Sequence, residues 1–206
     1  IIPFSILARH AFISKSILVS LSEIKIIKIT DIDKILDSIS TVATEFLEDI
    51  KKVKGKKISK KLFNLKYGHL RPGTYDITSK RYDEKNYFNL KDFKLPKKNI
   101  LKEKNLISKK TIQKIENLIK KEKLKNLNYK VLINYIKNSI SLREYAKFIF
   151  TKNVSLIIQK IEKRSKKFNY NTEDVSFLSL NEFTKSDYHK NLKLKNKINK
   201  NKEEFN

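Results

Sequence analysis

Tyr67-Gly68-His69-Leu70-Arg71-Pro72-Gly73-Thr74-Tyr75-Asp76 is the stretch of this chain whose residue types could do chemistry together. Gly, Pro, Ala and Arg are scarce in the sequence, fifteen in all, yet four of them fall between Gly68 and Gly73. Glycine permits positive φ and lets backbone approach a ligand closely. Proline fixes the shape of the loop around it. His69 offers a titratable donor or acceptor, and Arg71 a permanent cation whose planar fork suits carboxylate or phosphate. Asp76, Arg81, Asp83 and Glu84 follow closely. These residues suggest a substrate-binding constellation of His69, Arg71 and Asp76 with Arg81 nearby, shaped by Gly68, Pro72 and Gly73. Arg71 would face an anionic group, or pair with Asp76 when the site is empty. The same residues also read as a helix end followed by a Pro-Gly turn with an Arg71–Asp76 pair as scaffold, because glycine and proline mark turns more often than sites.

Other chemistry finds less support. Acid–base work by His69 would need a partner that the sequence does not place, so no catalytic residue is assigned. A metal site from His69, Asp76, Asp83 and Glu84 matches no standard ligand spacing. With no cysteine there is neither a disulfide nor a thiolate ligand. His10 reads as a partly exposed helix residue and His189 as a solvated residue of a lysine-rich tail. Neither common glycine-rich nucleotide loop is present, so no cofactor is expected in this segment.

The elements that must position the loop read as helices. Phe4, Leu7, Ala11, Leu18 and Leu21 have helical spacing across 3–27. Ile32, Ile35, Ile39, Val42, Phe46, Ile50 and Val53 form one long stripe after Thr30, with Asp31 and Asp33 in the first turn. Residues 51–66 hold eight lysines and no acid, with Gly55 as a helix stop and Ser59 as the start of a short helix ending at Gly68. Residues 68–100 read as an irregular, aromatic-rich excursion. Residues 108–124 and 129–168 are helical again, and Ser141 with Glu144 matches a capping box that would break the second near 139–141. Its last stripe runs through Val154, Ile157 and Ile161. Residues 172–183 read as a short extended or turn segment, with Ser179 and Glu182 capping a last helix. The expectation is an all-α fold. Residues 1–185 would make one central helical domain, and 186–206 a Lys/Asn-rich tail that frays unless something packs on it.

Composition narrows the partners. The net charge of +25 raises a basic helical nucleic-acid-binding module as an alternative. However, only five of the 47 basic residues are arginine, and Lys, Asn and Ile are enriched together. That pattern fits AT-rich codon drift on a solvated surface better than a groove reader, which favours arginine. No run of about 18 uninterrupted apolar residues is present, so a membrane partner is not expected. With no signal-peptide pattern either, a cytoplasmic protein is expected. The opening Ile1-Ile2-Pro3 and the lack of methionine suggest a segment of a longer polypeptide.

Three stretches, in order, resemble a known family. Tyr67-Gly68-His69, Pro72-Gly73, Asp76 and Arg81-Tyr82-Asp83-Glu84 are similar to a motif of phosphoenolpyruvate synthase-like and rifampicin phosphotransferase-like proteins. Leu142-Arg143-Glu144-Tyr145-Ala146-Lys147-Phe148 resembles the helix after that loop. The stretch from Glu173 to Phe183 resembles an Asp-Asp-Val-Phe-Tyr-Leu-Thr-Leu-Asp-Glu-Leu segment. In the antibiotic-modifying relatives the loop reads Tyr-Gly-His-Arg-Gly-Pro-Gly-Glu. Leu70-Arg71 and Thr74 depart from it here, which points to another branch. The resemblance implies the helical acceptor-binding or linker region of an ATP-dependent phosphotransferase, covering roughly 60–185. Its partners would be an ATP-grasp domain and a swivelling phosphohistidine domain of the same polypeptide, together with a small-molecule acceptor. ATP and Mg would belong to the full-length protein. The family's phosphorylated histidine corresponds to none of His10, His69 and His189.

Overall fold

A computed structural model describes residues 2–85, 87, 106–184 and 191–205. Among them there are nine helices and no strand, so the fold is all-α. The chain divides into two compact units. One comprises Ile1–Ile58 with Leu90–Phe150, the other Ser59–Asn89 with Thr151–Asn206.

The first unit holds α1 (Ile2–Glu23), α2 (Ile29–Asp37), α3 (Val42–Lys54), α5 (Lys109–Lys121) and residues 129–150 of α6 (Tyr129–Lys167). Its core gathers Leu18 and Leu21 of α1, Ile35 of α2, Ile115 and Ile119 of α5, and Leu132, Ile133 and Ile136 of α6. By length and composition alone α1 could cross a membrane. It also buries Ala11, Ser14, Leu18 and Leu21 within the protein.

The stripe expected as one long helix is split into α2 and α3. Helical spacing runs through the break, which is why periodicity alone misses it. Ser38 turns its hydroxyl back onto the Ile35 carbonyl at 2.7 Å, and Thr41 restarts the helix by donating its backbone N–H to Thr44. Such local side-chain bonds compete with helix continuation. The opposite happens in α6, which is continuous over 39 residues. Ser141 donates to the Ser40 carbonyl at 2.8 Å instead of capping, and Glu144 pairs with Arg143. At Gly55 the helix does stop, but the residue at positive φ is Lys56.

The second unit holds α4 (Lys60–Tyr67), residues 151–167 of α6, α7 (Thr172–Ser176), α8 (Leu180–Thr184) and α9 (Asn191–Phe205). Ser59 caps α4 by accepting from Leu62 N at 3.1 Å, as its position suggests. The stretch at 172–183, expected as a short extended or turn segment before a helix capped by Ser179 and Glu182, holds two short helices. Asn171 accepts from Asp174 N at 2.6 Å to start α7. The reciprocal Ser179–Glu182 box starts α8. The tail expected to fray is helical from 191 to 205, with Leu194 and Ile198 buried. Leu194 packs with Val175 and Phe183 in the second core.

Candidate functional site

The loop leaves α4 at Gly68 and is tied shut at its neck. Tyr82 N donates to the Leu70 carbonyl at 2.9 Å, and Asp83 N to the Gly68 carbonyl at 3.3 Å. A loop of this length with adjoining ends is packed by its own side chains. Residues 68–85 contain no helix or strand; apart from Tyr87, the remainder of the excursion expected over 68–100 lies outside the described residues.

Neither loop glycine has positive φ. Their reason is close approach. A Cβ at Gly68 would lie 2.3 Å from the Asn64 carbonyl oxygen and 2.7 Å from Asp83 Oδ2. A Cβ at Gly73 would lie 2.9 Å from the Asp76 Cβ. Ser79 closes the inner turn by accepting from Gly73 N at 3.2 Å.

Arg71 lies inside this frame and is 6% exposed. Its Nη1 donates to the Ser79 carbonyl, and its Nε to Ser155 Oγ of α6 at 3.4 Å. Its Nη2 is buried and has no acceptor. A charged donor left so is costly, and such groups in native proteins ask for a water, an ion or a ligand. His69 is buried beside it in sequence, at 5% exposure. Asp76 is exposed and not ion-paired with Arg71; its Oδ1 accepts from Thr78 N and Oγ1 at 2.8 and 2.7 Å. Arg81 binds Asp83 in two-pronged fashion, at 2.9 and 2.5 Å. Glu84 lies 4.0 Å from its Nε. The structure thus buries His69 and Arg71, leaves Asp76 at the surface of the same loop, and satisfies Arg81 within its own turn. Among the described residues no group of three or more His, Asp or Glu side chains is placed to share a metal ion.

No family model, curated protein or solved structure matches this chain.

Two residues of the cluster escaped sequence reading. Lys80 donates to Glu162 Oε1 at 2.9 Å, and Glu162 of α6 is 6% exposed. The expected stripe of Val154, Ile157 and Ile161 is rotated by one residue. Ser155, Ile158, Glu162 and Ser165 are buried instead, while Ile157 is half exposed. Apolar counting picks the greasier face; here polar residues go inward because Arg71 bonds Ser155, Lys80 bonds Glu162, and Ser165 turns its hydroxyl back onto the Glu162 carbonyl. The available signal was the 3-4-3 spacing of those four residues, which only a search for buried polar periodicity would find.

The charges are mutually supporting. Burial pushes the Glu162 carboxyl up, but the Lys80 hydrogen bond and the charges of Lys80, Lys166 and Arg71 outweigh it and hold it below the usual range. The bond to Glu162 raises the Lys80 ammonium above its usual value against the effect of burial. Hydrogen bonds from Thr78, side chain first and then backbone, hold Asp76 low, with a smaller contribution from Arg71. Three cations therefore surround one buried carboxylate.

Proposed function

We propose that this chain is the helical acceptor-binding or linker region of an ATP-dependent phosphotransferase resembling the phosphoenolpyruvate synthase and rifampicin phosphotransferase group. The 68–84 loop orients an anionic group of the acceptor, and Arg71 is its principal contact. The observation that carries this reading is the buried Arg71 guanidinium, 6% exposed, with Nη2 still lacking an acceptor. Phosphoryl transfer asks a protein mainly for positioning and charge neutralisation, which such a cation supplies. Lys80, nearly half exposed, stands at the same cluster as a second cation.

No residue of this chain is assigned to ATP or Mg. Neither a phosphate-cradling glycine loop nor a carboxylate cluster is found among the described residues. In this reading nucleotide binding and the phosphohistidine reside in further domains of a longer polypeptide, and no step of the transfer is assigned to residues of this chain beyond holding the acceptor.

The test is acceptor-dependent consumption of ATP by the full-length protein, with pyruvate, sugars and simple alcohols offered in turn. Turnover that rises with one acceptor supports the reading. ATP consumption independent of every acceptor, or none at all in a protein that carries both further domains, contradicts it.

A further inference from the structure

The outer face of α1 is apolar and uncovered. Its inner face buries Ala11, Ser14, Leu18 and Leu21. On the remaining arc Ile2, Ile6, Phe12, Ile13 and Val19 are 41–74% exposed, and Ile24 continues the row past the helix end at 56%. Where α1 meets Leu118 of α5, this face forms a shallow groove. A helix apolar on all sides is ordinarily buried or in contact with lipid, and a contiguous exposed apolar patch marks a contact surface. We infer that this face of α1 lies on an anionic lipid surface, with its aliphatic side chains among the acyl chains and the surrounding lysines against the headgroups.

Charge commits the occupant. No acidic residue precedes Glu23. Together α1 and α5 carry seven basic residues and two acids, and one of those acids, Glu116, accepts from Tyr129 N. On α5, Lys114 and Lys121 are exposed one turn to either side of Leu118. On α6, the Arg143 guanidinium lies 5.7 Å from the centre of the Phe12 ring, and exposed Lys147 follows one turn on. Arg9 is exposed within the apolar face itself, where its long stem lets the charge reach up to a headgroup. An apolar strip ringed by cations complements an anionic bilayer in both respects.

Other covers fit less well. A second copy of this chain would set a charge of +25 against another of +25. An acidic protein presents carboxylates at fixed positions, which arginine forks match best; a ring made mostly of flexible lysines suits headgroups that move laterally. With its inner face in the core, α1 lies along the surface and does not pass through it. This contact departs from the sequence expectation of no membrane partner, which weighed only a spanning helix. It is independent of the phosphotransferase reading, because the face belongs to the other unit and needs no acceptor.

The experiment is co-sedimentation of the full chain with phosphatidylcholine vesicles, either plain or containing roughly a third phosphatidylglycerol. A chain this basic can adsorb through any lysine-rich surface, so the deciding variants leave the charge unchanged. Ile6→Ser combined with Ile13→Ser should weaken binding to the anionic vesicles at least about tenfold, as expected for losing two partly buried aliphatic side chains. Leu62→Ser combined with Leu65→Ser, at more exposed positions of α4, should leave binding unchanged. The chain has no tryptophan, so Phe12→Trp places a single fluorescent reporter on the face. Its emission should shift to the blue with anionic vesicles and much less with plain ones. No binding to anionic vesicles, equal binding by both double variants, or bound protein without the blue shift would overturn the proposal. So would a blue shift that grows with protein concentration in the absence of vesicles, which would show a second copy covering the face.

Discussion

The five arginines show how a residue type can be informative in a lysine-dominated chain. Arg71 reaches Ser79 and Ser155, and Arg81 forks onto Asp83. Arg143 lies over Phe12, and Arg164 over Phe168 and Phe183. Arg71 and Arg81 therefore use what lysine lacks, two nitrogens of one planar fork, whereas lysines also sit over aromatic rings, as Lys66 does over Tyr67. The local excess of Gly, Pro and Arg at 68–73 was legible for the same reason. Lys80 and Glu162 were not, because a single Lys among 42 and a Glu in a helix carry no such mark. Two predictions belong here. Gly68→Ala should cost about 2 kcal/mol in urea unfolding, since the backbone oxygen of Asn64 at 2.3 Å cannot move aside as a side chain would. Glu162→Gln should cost about 1 kcal/mol near neutral pH, discounted because Lys80 is 45% exposed. Glu162, held low, contributes stability above the ordinary carboxylate range and loses it as pH falls through its depressed value. Lys80, held high, contributes below the ordinary lysine value and loses it as pH rises past its raised one. The difference between wild type and variant should therefore be flat across neutrality and shrink at both ends.

At the scale of elements, caps were better guides than stripes. Ser59, Ser108 and Ser179 each start a helix where the sequence places one. Ser141 matches the same pattern and does not cap, because in mid-helix its hydroxyl finds the Ser40 carbonyl. A capping motif marks a helix start only where the preceding residues do not already continue a helix, and the residues before 141 do. The α2–α3 break and the rotated face of α6 were hidden because apolar spacing neither registers a four-residue interruption nor weighs a buried polar stripe against an apolar one. Ser179→Ala should lower stability by about 1 kcal/mol in thermal or urea unfolding, the usual loss for a helix cap. Deleting 191–205 removes Leu194 from the core it shares with Val175 and Phe183. That truncation should lower the unfolding midpoint by several degrees; an unchanged midpoint would mean that α9 adds nothing to this core.

For the whole molecule, the all-α class followed from apolar spacing over most of the chain, while the division into two compact units did not. Each unit is built from two separated stretches of sequence, and α6 contributes residues to both, so no linker composition marks the boundary. The charge of +25 is spread over lysines rather than concentrated in forks, so binding to DNA should be nonspecific and should collapse between about 50 and 200 mM salt. Sequence-selective retention at 200 mM salt would reinstate the nucleic-acid alternative. The central claim is that Arg71 holds a ligand and is not merely scaffold, and the measurement that tests it most directly is turnover by the folded fraction of Arg71→Ala in the full-length protein, assayed for the proposed phosphotransferase activity. A ligand-binding arginine predicts at least a hundredfold loss of turnover, on the scale of about 3 kcal/mol expected for a charged contact, with circular dichroism and unfolding midpoint nearly retained. A variant that loses its fold, while whatever remains folded turns over at the wild-type rate, would show Arg71 to be scaffold and contradict the account.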